Sequence, residues 1–202
     1  MEIKRTSDPV VDAGAIAEAR SWCGLGSDTS EDATLRLLIK ACTQDVEDYL
    51  RLPLVNQAYR ILADRDEVGM RPADADAYAS TFDLVLPLPL ANVSAVSSVK
   101  AYDVDGVSTT LAGTDYALDA RGDDAALYLN TGVLPLPLRK TECLELAVTA
   151  GVGASSTSVP AKFKALILRL VAFDFEHRGD DVNDADRCKV LETGAANRVI
   201  RL

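Results

Sequence analysis

The sequence predicts an α+β protein, with helices toward both ends of the chain and a run of short strands between them. Three observations predict it. Apolar residues recur at helical spacing through the first quarter of the chain. The period shortens to two from Gln57 onward. A strongly apolar segment of helical character then follows the last strand-like run.

The totals set the frame. The chain has 202 residues, of which 48% are hydrophobic, enough for one ordinary domain with a subdomain. No apolar run is long enough for a transmembrane helix. The start, "MEIKRTSDPVVDAG", has basic residues but no apolar stretch behind them. It does not read as a signal peptide, which makes a cytoplasmic origin the expectation. The net charge is −10. Such a surface repels phosphate and excludes a protein that grips nucleic acid by its backbone. The same repulsion suits a channel through which DNA must slide. The four cysteines, Cys23, Cys42, Cys143 and Cys188, show no zinc or redox spacing. Cys42 and Cys143 fall in apolar periodic segments and read as small core residues.

The elements follow in order. Val11–Trp22 reads as a short helix capped by Asp12, with Ile16, Ala19 and Trp22 at helical spacing. Asp28 and Glu31 resemble a capping box opening the second helix. Its apolar stripe is Leu35, Leu38, Ile39, Cys42, Val46, Tyr49 and Leu50, and Pro53 ends it. Gln57–Asp64 alternates as a strand; Asp64–Ser80 is polar and reads as a long loop. Phe82–Leu86 is strand-like. Ser97–Val104 and Val107–Leu111 flank Asp105-Gly106, which predicts a hairpin with a two-residue turn. Asp115–Asp119 and Ala125–Leu129 are short strands, and Glu142–Thr149 alternates clearly. "GVGASSTS" reads as a flexible joint. Ser158 or Val159 then caps a helix over Pro160–Arg178, with Pro160 in its first turn. Its apolar residues cover more than one stripe, so it is expected to be buried on two sides. One side can meet the second helix. The other calls for the sheet or a neighbouring subunit, which marks Phe163, Ile167, Leu170, Val171, Phe173 and Phe175 as candidate subunit-interface residues.

The hexapeptide "VLPLPL" occurs twice, at Val85–Leu90 and Val133–Leu138. Proline at alternate positions strips donors from one strand edge. The flanks of the two copies differ, which argues against duplication of a whole unit. Leucines rather than basic residues surround the prolines, which argues against a proline-reading partner. The expectation is two blocked edges or rim segments of the sheet region.

Catalytic patterns do not assemble. His177, the only histidine, stands at a helix end, where it suits the helix dipole. There is no nucleophile elbow, no phosphate-binding loop and no dinucleotide glycine pattern. "DVNDADRC" lacks the turn glycine and distal glutamate of a calcium loop. The carboxylates of "TDYALDARGDD" flank turns and read as turn caps. No cofactor and no metal are expected, and the chain does not read as an enzyme.

The succession of segments carries a resemblance. "AEAR" is followed by "EDATLRLLIKACTQDVEDYLRLPLVNQAYR", "LPLPLANVSAVSSVKAYDVDGVSTTL", "TDYALD", "LELAVTAGVG" and "VPAKFKALILRLVAFDFEHR". Together they resemble the head-tail connector, or adaptor, proteins of long-tailed bacteriophages and phage-derived gene transfer particles, over roughly Val11 to Arg178. The resemblance implies a helical core of about three helices. It also implies a small antiparallel β-subdomain inserted between the second and third, and an extended C-terminal tail. The corresponding boundaries are 1–56, 57–152, 153–179 and 180–202. It further implies a homo-oligomeric ring, usually of twelve subunits, seated beneath the portal protein in the neck of a virion or phage-like particle assembled in the host cytoplasm. Such a ring continues the DNA channel, lets double-stranded DNA pass without sequence-specific binding, and offers a platform to a neck or tail-completion protein. No membrane is involved. In this family the C-terminal segment often reaches into the portal, which assigns Arg187, Lys189, Arg198, Val199, Ile200, Arg201 and Leu202 to portal docking. The switch from Asp180, Asp181, Asp184 and Asp186 to later basic residues fits that role. Two other readings stand beside it. One is a soluble peptide- or sugar-binding module using Tyr102, Tyr116 and Tyr128. The other is a hydrolase using carboxylates near Asp115–Asp124.

Overall fold

In the computed structural model, residues 1–8, 13–68, 84–120, 125–178 and 184–194 are described. They form four α-helices and two antiparallel sheets, a mixed α+β architecture. The chain divides into two units. One joins Met1–Ser7 to Gln57–Ala150, and the other joins Asp8–Asn56 to Gly151–Leu202.

The β unit holds eight strands: β1 (Glu2–Arg5), β2 (Gln57–Ala63), β3 (Leu84–Pro87), β4 (Val93–Tyr102), β5 (Ser108–Thr110), β6 (Tyr116–Asp119), β7 (Ala126–Leu129) and β8 (Leu144–Ala150). The larger sheet runs β1-β2-β8-β4-β5 and the smaller runs β3-β7-β6. Strand β8 shows why the sheet forms. Leu144, Leu146, Val148 and Ala150 alternate inward and are buried, while the residues between them face the other side. Ile61 of β2, Val99 of β4, and Leu127 and Leu129 of β7 enter the same apolar cluster, so both sheets build one core. Strand β4 carries two register shifts against β8, between Val93 and Ala95 and between Val96 and Ser98.

The hairpin differs from the two-residue turn read from the sequence. Strand β4 ends at Tyr102 and β5 resumes at Ser108, with Tyr102 opposite Ser108. Only Gly106 takes a positive φ, of 80°, whereas the expected turn needs one at both central residues. Asp103 organises the longer loop instead. Its Oδ1 accepts the amides of Asp105 at 3.0 Å and Val107 at 2.8 Å. Its own amide donates to the Val107 carbonyl.

The two hexapeptides have different fates. In the first, Leu86, Leu88 and Leu90 are buried and Pro87 is exposed. Strand β3 pairs with β7 alone, so Pro87 sits on a sheet edge, where its missing donor costs little. The second copy forms no edge strand. A 3-10 turn over Thr131–Val133 takes its first residue, and Asn130 Oδ1 caps that turn by accepting the Gly132 amide at 2.9 Å. Leu138 returns to the sheet through an isolated bridge to Asp103, Leu134 packs against the core half-buried, and Leu136 is left 73% exposed.

The helical unit holds α1 (Ala13–Trp22), α2 (Asp32–Leu50), α3 (Ala161–Glu176) and α4 (Asp184–Glu192). The expected cap Asp12 and the loop beyond residue 68 lie outside the described residues. Helix α2 begins later than a capping box at Asp28 would place it. Asp28 Oδ1 accepts the Ser30 amide at 2.9 Å and closes a turn, and Glu31 at the N-cap makes no side-chain cap bond. Leu35, Ile39, Cys42, Val46 and Leu50 are buried, as the stripe predicts, and Glu47 is buried beside them. Glu47 Oε1 accepts the amides of Leu54 at 2.7 Å and Val55 at 3.2 Å, so a buried carboxylate holds the chain reversal after α2.

Residues 151–158 are not the flexible joint that their composition suggests. Asn56 donates its amide to Gly153 O at 2.8 Å, and Val152 donates to Leu54 O at 3.2 Å. Gly151 has φ +149°, and a Cβ there would lie 2.5 Å from Asn56 N, so only glycine fits this crossing. At α3 the N-cap is Pro160, without a side-chain cap bond, rather than Ser158 or Val159.

The extended C-terminal tail is corrected in one part: residues 184–192 are helical. None of the described side chains of α4 is fully buried. Charged contacts tie the helix to its neighbours. No described helix is long and apolar enough to cross a membrane.

Candidate assembly surfaces

Helix α3 packs against α1, α2 and α4 of the same helical unit. Phe163, Ile167, Leu170 and Val171 are consequently buried inside the subunit, with Leu170 and Val171 fully covered. The need for a neighbour to cover them is corrected: α1 and α4 supply the second side. Of the six candidate interface residues, only Phe173 and Phe175 keep exposed area. The Arg178 guanidinium lies 4.0 Å above the Phe175 ring and pairs with Glu31 at 2.9 Å. Phe173 stacks on His177 with ring centroids 4.4 Å apart, and His177 Nδ1 lies 2.8 Å from the Phe173 carbonyl. The lone histidine is thereby a helix-end group.

Arg187 does not face outward to dock a partner. Its Nε lies 3.0 Å from Asp174 Oδ1, and its Nη2 reaches both Asp174 Oδ2 and Asp45 Oδ2. One guanidinium therefore ties α4 to α3 and α2. Cys42 joins the cluster, with its Sγ 3.3 Å from Asp174 Oδ2. Burial, then the Asp174 charge and hydrogen bond, push the Cys42 thiol far above its ordinary range, so it is an inert core thiol. Lys189 is exposed and pairs with Asp186 at 2.7 Å. Arg198, Val199, Ile200, Arg201 and Leu202 lie outside the described residues.

Periodicity missed Trp22. Ile16 and Ala19 of its stripe are buried, but Trp22, the only tryptophan, is 47% exposed at the end of α1. Two shallow grooves open beside it. One, of about 450 Å³, is lined by Trp22, Arg169, Ala172, Phe173, Lys189 and Val190, with Glu176 and Thr193. The other, of about 480 Å³, runs past Val159, Ala161, Ala165 and Leu168 and is bordered by the Glu18–Lys164 pair. The sequence shows only that Trp22 stands last in the stripe, just before the helix-breaking "CGLGSD", and that does not report its exposure.

The β unit offers a second apolar surface. At the β4–β5 tip Val104 is 58% and Val107 61% exposed. The Val104 amide donates to Pro137 O at 3.2 Å, which places exposed Leu136 beside the tip. The tyrosines of the binding-module reading do not stand free. Tyr102 donates to Glu145 at 3.0 Å under the Arg139 guanidinium, and Tyr116 and Tyr128 lie on paired strands. Asp115 Oδ2 accepts the Ala112 amide at 3.0 Å, a turn cap as read; Asp123 and Asp124 lie outside the described residues. Among the described residues, no group of three His, Cys, Asp or Glu is arranged to hold a metal ion.

No curated protein matches the sequence. The fold, however, recurs over the full length in particle components. A chain of the neck of an empty GTA particle, in C6 symmetry, aligns with a TM-score of 0.69 at 22% identity, covering 100% of this chain and 97% of that one. A chain of the virion of the native gene transfer agent (GTA) particle aligns at 0.66 and 21%, with the same coverage. A chain of the native GTA neck, in C12 symmetry, aligns at 0.66 and 20%, again with that coverage. Within this shared fold, residues 15–78 of the chain match the family model of the phage gp6-like head-tail connector proteins.

Proposed function

We propose that the protein is a structural head-tail connector that forms a ring in the neck of a phage or phage-derived particle. The ring sits beneath the portal, extends the DNA channel and attaches neck or tail proteins to the capsid. The observation that carries this reading is the fold shared end to end with chains of ring-symmetric GTA necks, together with the connector family match over residues 15–78. The net charge of −10 supports it, because an acidic wall lets DNA pass without holding it. The role is non-enzymatic. The helical core, the β-subdomain inserted in it and the ring of about twelve copies belong to this proposal, as do assembly in the host cytoplasm and free passage of duplex DNA.

Docking to the portal is assigned to Lys189 and to Arg198, Val199, Ile200, Arg201 and Leu202, with Arg187 withdrawn because it is engaged inside the subunit. Particles made without this chain should accumulate as filled heads lacking tails, seen by electron microscopy. Normal tailed particles would overturn the connector role. Deleting residues 197–202 should leave a folded protein that no longer joins the portal; unchanged attachment removes the docking assignment alone.

A further inference from the structure

We propose that the β4–β5 tip of one copy seats in the groove beside Trp22 of the next copy, and that this contact repeats around the ring. The inference rests on the ring reading and names its contact. A closed ring of identical subunits uses two different surfaces per subunit, one complementary to the other. Among the described residues, the exposed large apolar side chains include one group in the β unit and a single aromatic residue beside a groove of the helical unit. Val104, Val107, Val133 and Leu136 belong to the β unit, and Trp22 stands in the helical unit. The remaining ones, Ile3, Leu37 and Val152, come from separate parts of the chain.

The two surfaces match in shape and charge. The tip is a narrow turn reading Val104-Asp105-Gly106-Val107, two exposed valines around one carboxylate. The groove has an aromatic and aliphatic wall of Trp22, Ala172, Phe173 and Val190. Arg169 stands at its border, exposed and with no ion pair among the described residues; the Asp105 carboxylate likewise has none there. Lys189 adds positive charge on the same border, though Asp186 already pairs with it, and Glu176 is the one opposing group. Asp105 on Arg169 sets the register, while the valines against Trp22 supply the buried area. The tip is also preorganised. The Asp103 carboxylate fixes two of its amides, so little conformational freedom is lost on docking.

The test uses charge exchange in the full-length chain, read as ring yield in purified necks by mass photometry. Asp105→Arg and Arg169→Asp should each reduce the yield at least about tenfold, because each juxtaposes like charges. The double exchange should restore most of it. Circular dichroism melts confirm that the variants fold, since both sites are exposed. In parallel, Val107→Cys with Ala172→Cys, in a background lacking Cys23 and Cys188, should give disulfide-linked ladders on mild oxidation. If wild-type rings form while both single exchanges assemble normally and no ladder appears, the contact is wrong and the ring stands. If the wild-type chain is found in no ring at all, both fall together.

Discussion

Arg187 is the residue on which the last described helix depends. Helix α4 has no buried apolar stripe, and one guanidinium shared between Asp174 and Asp45 ties it to α3 and α2. Both Arg187 and Asp174 are less than a third exposed, which limits solvent screening of the pair. Arg187→Gln should lower unfolding stability by about 1–3 kcal/mol in urea titrations. It should also abolish amide-exchange protection over residues 184–192. Arg187→Lys should recover little, because an ammonium cannot span two carboxylates as the planar fork does. Protection of α4 that survives Arg187→Gln would show that other contacts hold it. This residue also marks where sequence reading stops. Its basic charge was legible, but its partners lie 13 and 142 positions away, and no local pattern reports them.

At the scale of elements, Glu145 joins three neighbouring strands. It sits on β8, 2.7 Å from Arg60 of β2, 3.0 Å from the Tyr102 hydroxyl of β4 and 3.9 Å from Lys100. Burial pushes its carboxyl upward. Hydrogen bonds from Arg60 and Tyr102, with the charges of Arg60 and Lys100, outweigh that and hold it below the ordinary range. A carboxyl depressed in the folded state stabilises fully above its unfolded pKa, near 4.5, and loses that contribution as pH falls through the folded value. Glu145→Gln should therefore be destabilised relative to wild type at pH 7, with the gap closing below about pH 4.5. Chemical denaturation across that range checks it; a gap independent of pH would assign the loss to packing. Strand β8 itself was readable, because strict alternation has a single buried solution. The second hexapeptide was not. Its letters equal those of β3, but a capped 3-10 turn precedes it and it finds no partner strand, so the same sequence leaves Leu136 in solvent. The apolar breadth of α3 was readable, but what covers it was not. Periodicity measures how much surface must be buried and is silent on whether the cover comes from the same chain.

For the whole molecule the net charge of −10 sets the terms of assembly. Copies brought together repel one another, and salt screens that repulsion over about 10 Å at 0.1 M. Raising ionic strength should therefore favour self-association of the purified chain, measured by sedimentation velocity. The single Asp105–Arg169 pair per contact is an exposed pair worth about 1 kcal/mol or less, too little to reverse the trend. Dissociation on adding salt would mean that attraction between opposite charges dominates. The α+β character and the connector resemblance were both legible in the order of segments. The exposed Trp22 was not, since a helical stripe says which residues share a face and not where the covering neighbours end.

The crossing of 54–56 with 151–153 has a topological consequence. Asn56 and Gly151 pack backbone to backbone, so the ends left by removing everything between them already adjoin. A short turn could splice the helices into one continuous chain, provided that the first strand, which pairs only with the excised segment, left with it. Sequence between these two positions can thus be exchanged as a cassette, because the scaffold ends that flank it are already held together.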